Sequence, residues 1–239
     1  MKKTVIIFFI VMAFFLNECK QENTWRDSFQ VNKANLRPTG INRYFIIQPG
    51  HKLIFANGND TIIQTVLDET YIVDGVETRV IVDSEKVNDQ LSEVTRDYFA
   101  IDTTTGDVYY FGEDVNIYEN GQVVSHEGSW LSGVNGARFG LMMPGKIIVG
   151  DKYYNEIAPG VAMDRAEIIS QDETVTTPLN VYEGCLHIEE TTPLESGTAH
   201  KYYAPQIGLI KDEDFLLVKI VTNPEKNRNG VRPHIYRKY

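Results

Sequence analysis

The residues whose types could do chemistry lie around one glycine-rich passage, 112–145, which reads GEDVNIYENGQVVSHEGSWLSGVNGARFGLMMPG. Glu113 and Asp114 stand near its start, and Glu156 and Asp164 follow it on either side of an Ala-Pro-Gly turn. Carboxylates from two such regions could supply the about six to eight oxygen ligands that a hard cation such as Ca²⁺ requires. Their spacing matches no metal-binding loop, and capping of turns through backbone N–H groups explains them equally well. The sequence therefore leaves metal binding undetermined.

The same carboxylates, or His200 together with an acid, could act as general acid and base in an extracytoplasmic hydrolase. Histidine titrates near neutral pH, which such chemistry needs. The sequence contains no Gly-x-Ser-x-Gly elbow, no His-Glu-x-x-His motif, no phosphate loop and no cysteine with a catalytic partner. We therefore assign no catalytic residue and no cofactor, and the favoured interpretation is a binding or structural role.

Trp130 lies among several glycines, and two interpretations of it remain open. An exposed tryptophan in a glycine-rich loop could stack on a sugar ring or pack on an apolar ligand. Alternatively, the loop is long enough to need an apolar anchor, and Trp130 folds back as a lid over the core. The predicted ligand is a carbohydrate or an apolar molecule, and the candidate ligand-binding residues are Glu113, Asp114, Trp130, Glu156, Asp164 and His200.

The elements that must position these residues are predicted to be β-strands. Short runs rich in Val, Ile, Tyr, Phe and Thr alternate with turn sequences at 57–58, 74–75, 105–107 and 120–121. Only residues 84–95 are a weak helix candidate. The predicted fold is mainly β and antiparallel, as a sandwich or a curved barrel-like sheet, with no choice between the two.

An internal duplication is predicted from three matches in order. The sequence GHKLI at 50–54 resembles GDKYY at 150–154, the triplet DET recurs at 68–70 and 172–174, and YFA at 98–100 resembles YYA at 202–204. The single β domain, 41–222, then contains repeat units at 44–111 and 149–221, which turn through Gly75 and Gly184. The passage 112–148 is an insertion between them, and long insertions often carry binding residues.

The N-terminal residues predict export. Two lysines precede an apolar run at 5–16, which is shorter than the about 20 residues that span a bilayer and is typical of a signal peptide, 1–18. The sequence LNEC at 16–19 resembles a bacterial lipoprotein signal, so Cys19 is the predicted lipid attachment site and the membrane the predicted partner. Glu18 departs from that pattern, and the alternative is an ordinary secreted protein. Residues 19–40 are interpreted as a tether.

Composition excludes one class of partner and one source of stability. A net charge of −10 argues against nucleic acid. With Cys19 acylated, Cys185 has no partner for a disulfide, and its apolar neighbours predict a buried, inert thiol. The basic segment 223–239 is interpreted as a solvated tail.

Several motifs together resemble an uncharacterised family of secreted bacterial proteins and lipoproteins. They are YYFGEDV, EGSW, a G-A-G-MP pattern, GDKYYNE followed by PG-A-D, and HKYYAP-IGL, over about 44–221. The resemblance implies no established activity. It implies recurrent polar positions at Glu113, Asp114, Glu127, Trp130, Glu156, Asp164 and His200, and this sequence departs from the family at Met163 and Gln206. The sequence thus predicts an exported, lipid-anchored cell-envelope protein with a binding or structural role.

Overall fold

The computed structural model describes residues 24–222 and confirms a mainly β, antiparallel fold. A short 3-10 helix (Lys33–Asn35) precedes the strands. The strands are β1 (Leu36–Arg37), β2 (Lys52–Asn57), β3 (Asp60–Val73), β4 (Val76–Val87), β5 (Gln90–Asp102), β6 (Val108–Glu119), β7 (Gln122–Ser125), β8 (Trp130–Leu131), β9 (Arg138–Met143), β10 (Lys152–Tyr154), β11 (Glu156–Ile157), β12 (Arg165–Thr176), β13 (Val181–Thr191), β14 (Ala199–Ala204), β15 (Gly208–Asp212) and β16 (Phe215–Val221). Within residues 24–222, no helix has the length and apolar character needed to cross a membrane.

Local turn chemistry explains why the long strands fold back on one another. Chain reversals occur at all four predicted turn sequences, and Asp74 and Gly75 both have positive φ, at 50° and 74°, as a two-residue hairpin turn requires. The predicted helix at 84–95 is wrong. That stretch is the β4–β5 hairpin, because Asn88 and Asp89 adopt φ values of 50° and 62° and reverse the chain there.

The strands form one curved sheet, and its two ends are joined by the chain itself. The order runs β10-β12-β13-β14-β15-β16-β2-β3-β4-β5-β6-β9-β11, and only Asn155 separates β10 from β11. Of the two architectures that the sequence left open, the structure is therefore the nearly closed, barrel-like sheet. Gly140 on β9 allows this closure, since a Cβ atom there would lie 2.5 Å from the carbonyl carbon of Asn155.

Two meanders with the same strand order make up most of the sheet. The path β2 to β6 corresponds to β10, β12, β13, β14 and β15, and the entry turns make matching hydrogen bonds: Gly50 N–H to Val66 O (2.9 Å) and Gly150 N–H to Ile168 O (2.8 Å). These are features that a duplication predicts, and the duplication itself stays a prediction. Gly184 does not form the second turn as expected, since it lies within β13 and the chain reverses at 177–180.

The passage 112–148 is not wholly added to a finished scaffold, contrary to expectation. It includes the end of β6, and its strand β9 lies between β6 and β11 in the sheet. Without β9 the sheet would have no partner for β11 and would stay open at this edge. The passage therefore contributes both to the closure and to the loop that carries Trp130.

The described part of the predicted tether, from residue 24, packs on the domain instead of leading away from it. The Arg26 N–H group donates to Lys152 O, and Leu36 in β1 is buried beside β5. Phe29 packs edge-on against Tyr109. The polar composition of the segment predicted a tether because it concealed these two apolar anchors, Phe29 and Leu36. The signal peptide, Cys19 and the basic tail lie outside the described residues.

Residues 42–47 fill the interior between the β5–β6 turn and the β14–β15 turn. Asn42 fixes this segment, because its Oδ1 accepts the N–H groups of Tyr44 and Phe45 while its Nδ2 donates to Gly106 O and Pro144 O. Phe45 then packs edge-on against Phe99, and both belong to the main apolar cluster. One end of the interior is thus a packed apolar core, and Cys185 is buried elsewhere in the domain, as predicted.

Candidate functional site

Next to this apolar core, the interior contains a polar cavity of about 230 Å³. We call it the acid cavity because seven carboxyl groups line it. They come from β4, β5, β6, β11, β13, β15 and one loop, so the curvature of the whole sheet brings them together. The seven are Asp83, Asp97, Glu113, Glu156, Asp164, Glu190 and Asp212.

Strand register explains which acids point inward. Asp97 on β5 and Glu113 on β6 are direct cross-strand partners, so both side chains lie on the inner face. Asp114 follows Glu113 and therefore points outward. It is exposed and accepts a hydrogen bond from the Tyr98 hydroxyl. The adjacent pair predicted as one site is thus divided between the two faces of the sheet.

Trp130 backs the wall of the acid cavity at Glu113 and Glu156, two of the acids that line it. β8 lies directly against β6, and Gly112 permits this contact, since a Cβ atom there would lie 2.9 Å from Leu131 Cα. The indole is only 6% exposed and packs edge-on against Tyr110. Its Nε1–H donates to Glu113 at 3.2 Å and to Glu156 at 3.0 Å. Burial of this kind corresponds to the lid interpretation, with the indole bound to two acids.

A second, more apolar pocket of about 270 Å³ lies on the other side of this wall. Trp130 and Asp114 line it, together with Val134 and Val161, which are about half exposed. We call it the rim pocket. Trp130 therefore lies between the rim pocket, which it lines, and the two cavity acids to which it donates, Glu113 and Glu156.

Burial and mutual repulsion favour the protonated forms of the inner acids. Burial, followed by the charge of Glu113, raises the pKa of Asp97 to about 8, although the Tyr110 hydroxyl donates to it at 2.6 Å. Burial likewise raises the pKa of Glu113 to about 7, against the opposing effect of hydrogen bonds from Tyr110 and Trp130. Burial and the charge of Glu113 raise the pKa of Glu156 well above its usual value. The cavity therefore holds carboxyl groups that titrate near neutral pH and above.

The cationic side of the acid cavity is small. Lys201 Nζ lies 2.8 Å from Glu190 Oε2 and 3.8 Å from Asp212 Oδ2. These two acids raise the pKa of Lys201 well above its usual value despite its burial. Burial lowers the pKa of His51 and so favours its neutral form, against the opposing effect of the hydrogen bond that its Nε2–H group donates to Ile207 O at 2.9 Å. One cation thus faces seven carboxyl groups.

The structure brings together only some of the residues predicted from the sequence. Glu113, Glu156 and the exposed Asp164 line the acid cavity, and Trp130 lies behind the first two, to which it donates. His200 lies elsewhere, where its ring is 3.0 Å from His187, and Glu127 is exposed in the turn after β7.

Sequence reasoning missed four of the acids that line the cavity and its one lysine. The usable signal was a charged residue directly after a short apolar run within a strand, as in VIVD, where Asp83 ends the run. The missed residues are Asp83, Asp97, Glu190, Lys201 and Asp212.

The predicted calcium alternative receives no geometric support. Among residues 24–222, no group of three or more His, Cys, Asp or Glu side chains is arranged to hold a metal ion. The carboxyl groups surround the cavity instead of converging on one point.

The fold and site define a class of protein: a barrel-like antiparallel β-sheet with an acid-lined interior. No family model and no curated protein matches the chain. Two crystal structures are similar to it in part. One, from Bacteroides fragilis, is provisionally described as an exported protein with a YmcC-like fold; it has 13% identity and a TM-score of 0.38, over 75% of this chain and 99% of that chain. The other, from Parabacteroides distasonis, is provisionally described as a lipoprotein, with 12% identity, a TM-score of 0.33 and coverage of 77% and 98%.

Proposed function

We propose that this chain is an exported cell-envelope protein, attached to the membrane by a lipid on Cys19, that binds a small molecule in the acid cavity. The observation that carries the binding role is the interior itself. A domain of this size is expected to fill its core with apolar side chains. Here the interior beyond Phe45 holds seven carboxyl groups around an open volume.

Stability alone does not account for this arrangement. Burying carboxyl groups costs free energy, and apolar residues of similar volume would often make a more stable core. Asp83 illustrates the cost, because one of its buried oxygens has no hydrogen-bond partner among the described residues and burial raises its pKa well above the usual value. Groups that lower stability are commonly retained where they bind or react.

Export and lipidation are supported by the N-terminal sequence. Two lysines, the apolar run at 5–16 and the LNEC sequence at 16–19 are typical of a signal peptide that ends at an acylated cysteine. Attachment at Cys19 would leave only a few residues before the chain packs on the domain at Arg26. The binding domain would then work close to the membrane surface.

The experiment for the binding role is a ligand screen of the purified mature protein by amide NMR. The panel contains small amines, polyols and sugars, carboxylates and short alcohols. We expect at least one class to give saturable shifts at Glu113 and Glu156. The response should be lost in Glu113→Gln but kept in Asp114→Asn, which removes the same charge on the opposite face of β6. If no class gives a saturable response at the cavity, the proposal is wrong.

A second candidate function is hydrolysis, and one observation favours it. Glu113 and Glu156 lie side by side on one N–H group, and burial places the pKa of Glu113 at about 7, where it could serve as a general acid. Aryl glycosides and aryl esters are suitable substrates for a first assay. Turnover by the wild type that Glu113→Gln abolishes and Asp114→Asn retains would support the hydrolase, and its absence would leave binding alone.

A further inference from the structure

We infer that the ligand of the acid cavity is a small organic cation with two separated ammonium groups, such as an aliphatic diamine. The inference rests on the proposed binding function and names the chemical class that the cavity is built to hold. Four features of the cavity lead to it: its charge, its hydrogen-bonding capacity, its lack of a metal-binding arrangement, and its size and walls.

The charge of the cavity is unbalanced when these acids are ionised, and a bound cation favours that form by lowering their raised pKa values. Lys201 forms ion pairs with Glu190 and Asp212, and none of the other five cavity acids forms an ion pair with a described residue. Neutral groups hold them instead, for example Tyr110 for Asp97 and Gln64 for Asp83. A bound cation would supply the charge that the protein leaves out.

The cavity is also rich in acceptors and poor in donors. Asn155 lines it and is only 4% exposed, yet its Oδ1 has no partner among residues 24–222. Its Nδ2 is directed at Leu141 O and Met142 Sδ, so the side-chain oxygen is left as an acceptor. Asp83 Oδ1 is likewise without a partner. An ammonium group carries three donors and no acceptor, which complements such a wall.

A point cation does not fit this distribution. No three acids of the described chain converge as metal ligands do. Most of the acids lie on separate strands around the cavity. Asp83 and Asp97 lie on the adjacent strands β4 and β5, whereas Glu156 lies on β11, the last strand in the sheet order. Two charges at the ends of a short chain can each reach a different set of carboxylates.

Size and apolar walls set the scale of the molecule. The volume of about 230 Å³ is below the about 300–1,000 Å³ typical of drug-sized ligands. Phe99 and Tyr110 stack on each other at 4.7 Å and, with Phe45, add aromatic surface to the lining. Such surface packs against methylene groups and attracts ammonium groups. A diamine with a chain of a few carbons meets both requirements.

Isothermal titration calorimetry of the mature protein with butane-1,4-diamine tests the inference, with butane-1,4-diol as the neutral analogue of the same length. We expect saturable binding of the diamine, with butylamine at least about tenfold weaker and the diol without detectable heat. Glu156→Gln should weaken diamine binding by about tenfold or more, whereas Asp114→Asn should leave it unchanged. Comparison of the diamine with the diol needs no variant, so a variant that fails to fold does not remove the test.

The outcomes separate this inference from the function on which it rests. Binding of the diol or of a sugar at the cavity, without binding of the diamine, overturns the cationic class and leaves the binding function standing. Binding of Ca²⁺ in place of the diamine likewise overturns it. Absence of any saturable ligand in the NMR screen overturns the binding function itself.

Discussion

Replacement of Trp130 by phenylalanine tests how the cavity wall is held together. The indole Nε1–H is the one group of Trp130 that donates to both Glu113 and Glu156, at 3.2 and 3.0 Å. Phenylalanine keeps most of the ring and its contact with Tyr110 but removes this donor. The change therefore separates the hydrogen bonds of the wall from its packing.

The expected cost depends on pH. A hydrogen bond to a charged group contributes about 1.5–3 kcal/mol, and one to a neutral group about 0.5–1.5 kcal/mol. Since the pKa of Glu113 is raised to about 7, its carboxyl group is mainly protonated at about pH 5 and mainly ionised at about pH 8.5. We expect Trp130→Phe to lower the free energy of unfolding by about 1 kcal/mol more at the higher pH than at the lower.

Urea unfolding followed by circular dichroism at both pH values measures this difference. Trp25→Phe is the matched control, because it is the same substitution at another site. The Trp25 ring packs against the cations of Lys152 and Arg165 and not against the cavity acids. The control should lose the same free energy at both pH values. If Trp130→Phe lowers the free energy of unfolding by the same amount at both pH values, the hydrogen bonds from Trp130 to ionised Glu113 and Glu156 do not stabilise the wall.

Further predictions concern the core, the inner acids, the closure and the anchor. Trp130→Ala should cost about 3–5 kcal/mol in urea unfolding, as truncation of a large buried aromatic does; an unchanged stability together with lost ligand binding would instead place Trp130 in a ligand site. The raised pKa of Glu113 means that the folded state binds more protons than the unfolded state between about pH 4 and 8. The free energy of unfolding of the wild type should therefore fall as the pH rises through this range, by about 3 kcal/mol for this group alone. Greater stability at about pH 8 than at about pH 5 would contradict this. Gly140→Ala should cost about 3 kcal/mol or more in thermal unfolding because the sheet cannot close around a methyl group there, and it should cost more than Gly58→Ala, where the methyl group meets no atom and only the positive φ of 60° costs about 1–2 kcal/mol. Cys19→Ala should move the protein from the detergent phase to the aqueous phase or trap the precursor, and a soluble wild type that begins at another residue would refute the anchor.

The fold class was predictable because its determinants are local. Turn sequences such as Asp74-Gly75 and the β-rich runs between them are visible without knowledge of the tertiary structure. The closure was not predictable, because it depends on a tertiary contact between Gly140 and Asn155 that no local motif marks. The 84–95 hairpin was missed for a related reason: its turn residues, Asn88 and Asp89, lie between runs that are polar on one face and resemble a short helix.

The site was predictable only in part. Glu113 and Glu156 were identified because the family resemblance implies recurrent polar residues at both positions, one at the start of the glycine-rich passage and one after it. Asp114 was grouped with Glu113, although alternation along β6 places it on the outer face. Asp97 was missed because the inward face of a strand becomes known only when the sheet curvature and register are known. Its neighbour Tyr98 lies on the opposite side of β5 and binds Asp114 there.

The emission of Trp130 tests the central claim, that the acid cavity binds a small molecule, most directly. The chain contains two tryptophans, so in Trp25→Phe the emission comes from Trp130 alone, whose N–H group lies on two cavity carboxylates. Titration of this variant with butane-1,4-diamine and then with the other small-molecule classes should give a saturable change for at least one ligand. Glu156→Gln should move that change to a ligand concentration at least about tenfold higher. Emission that stays constant with every class, in a protein that circular dichroism shows to be folded, would contradict the account.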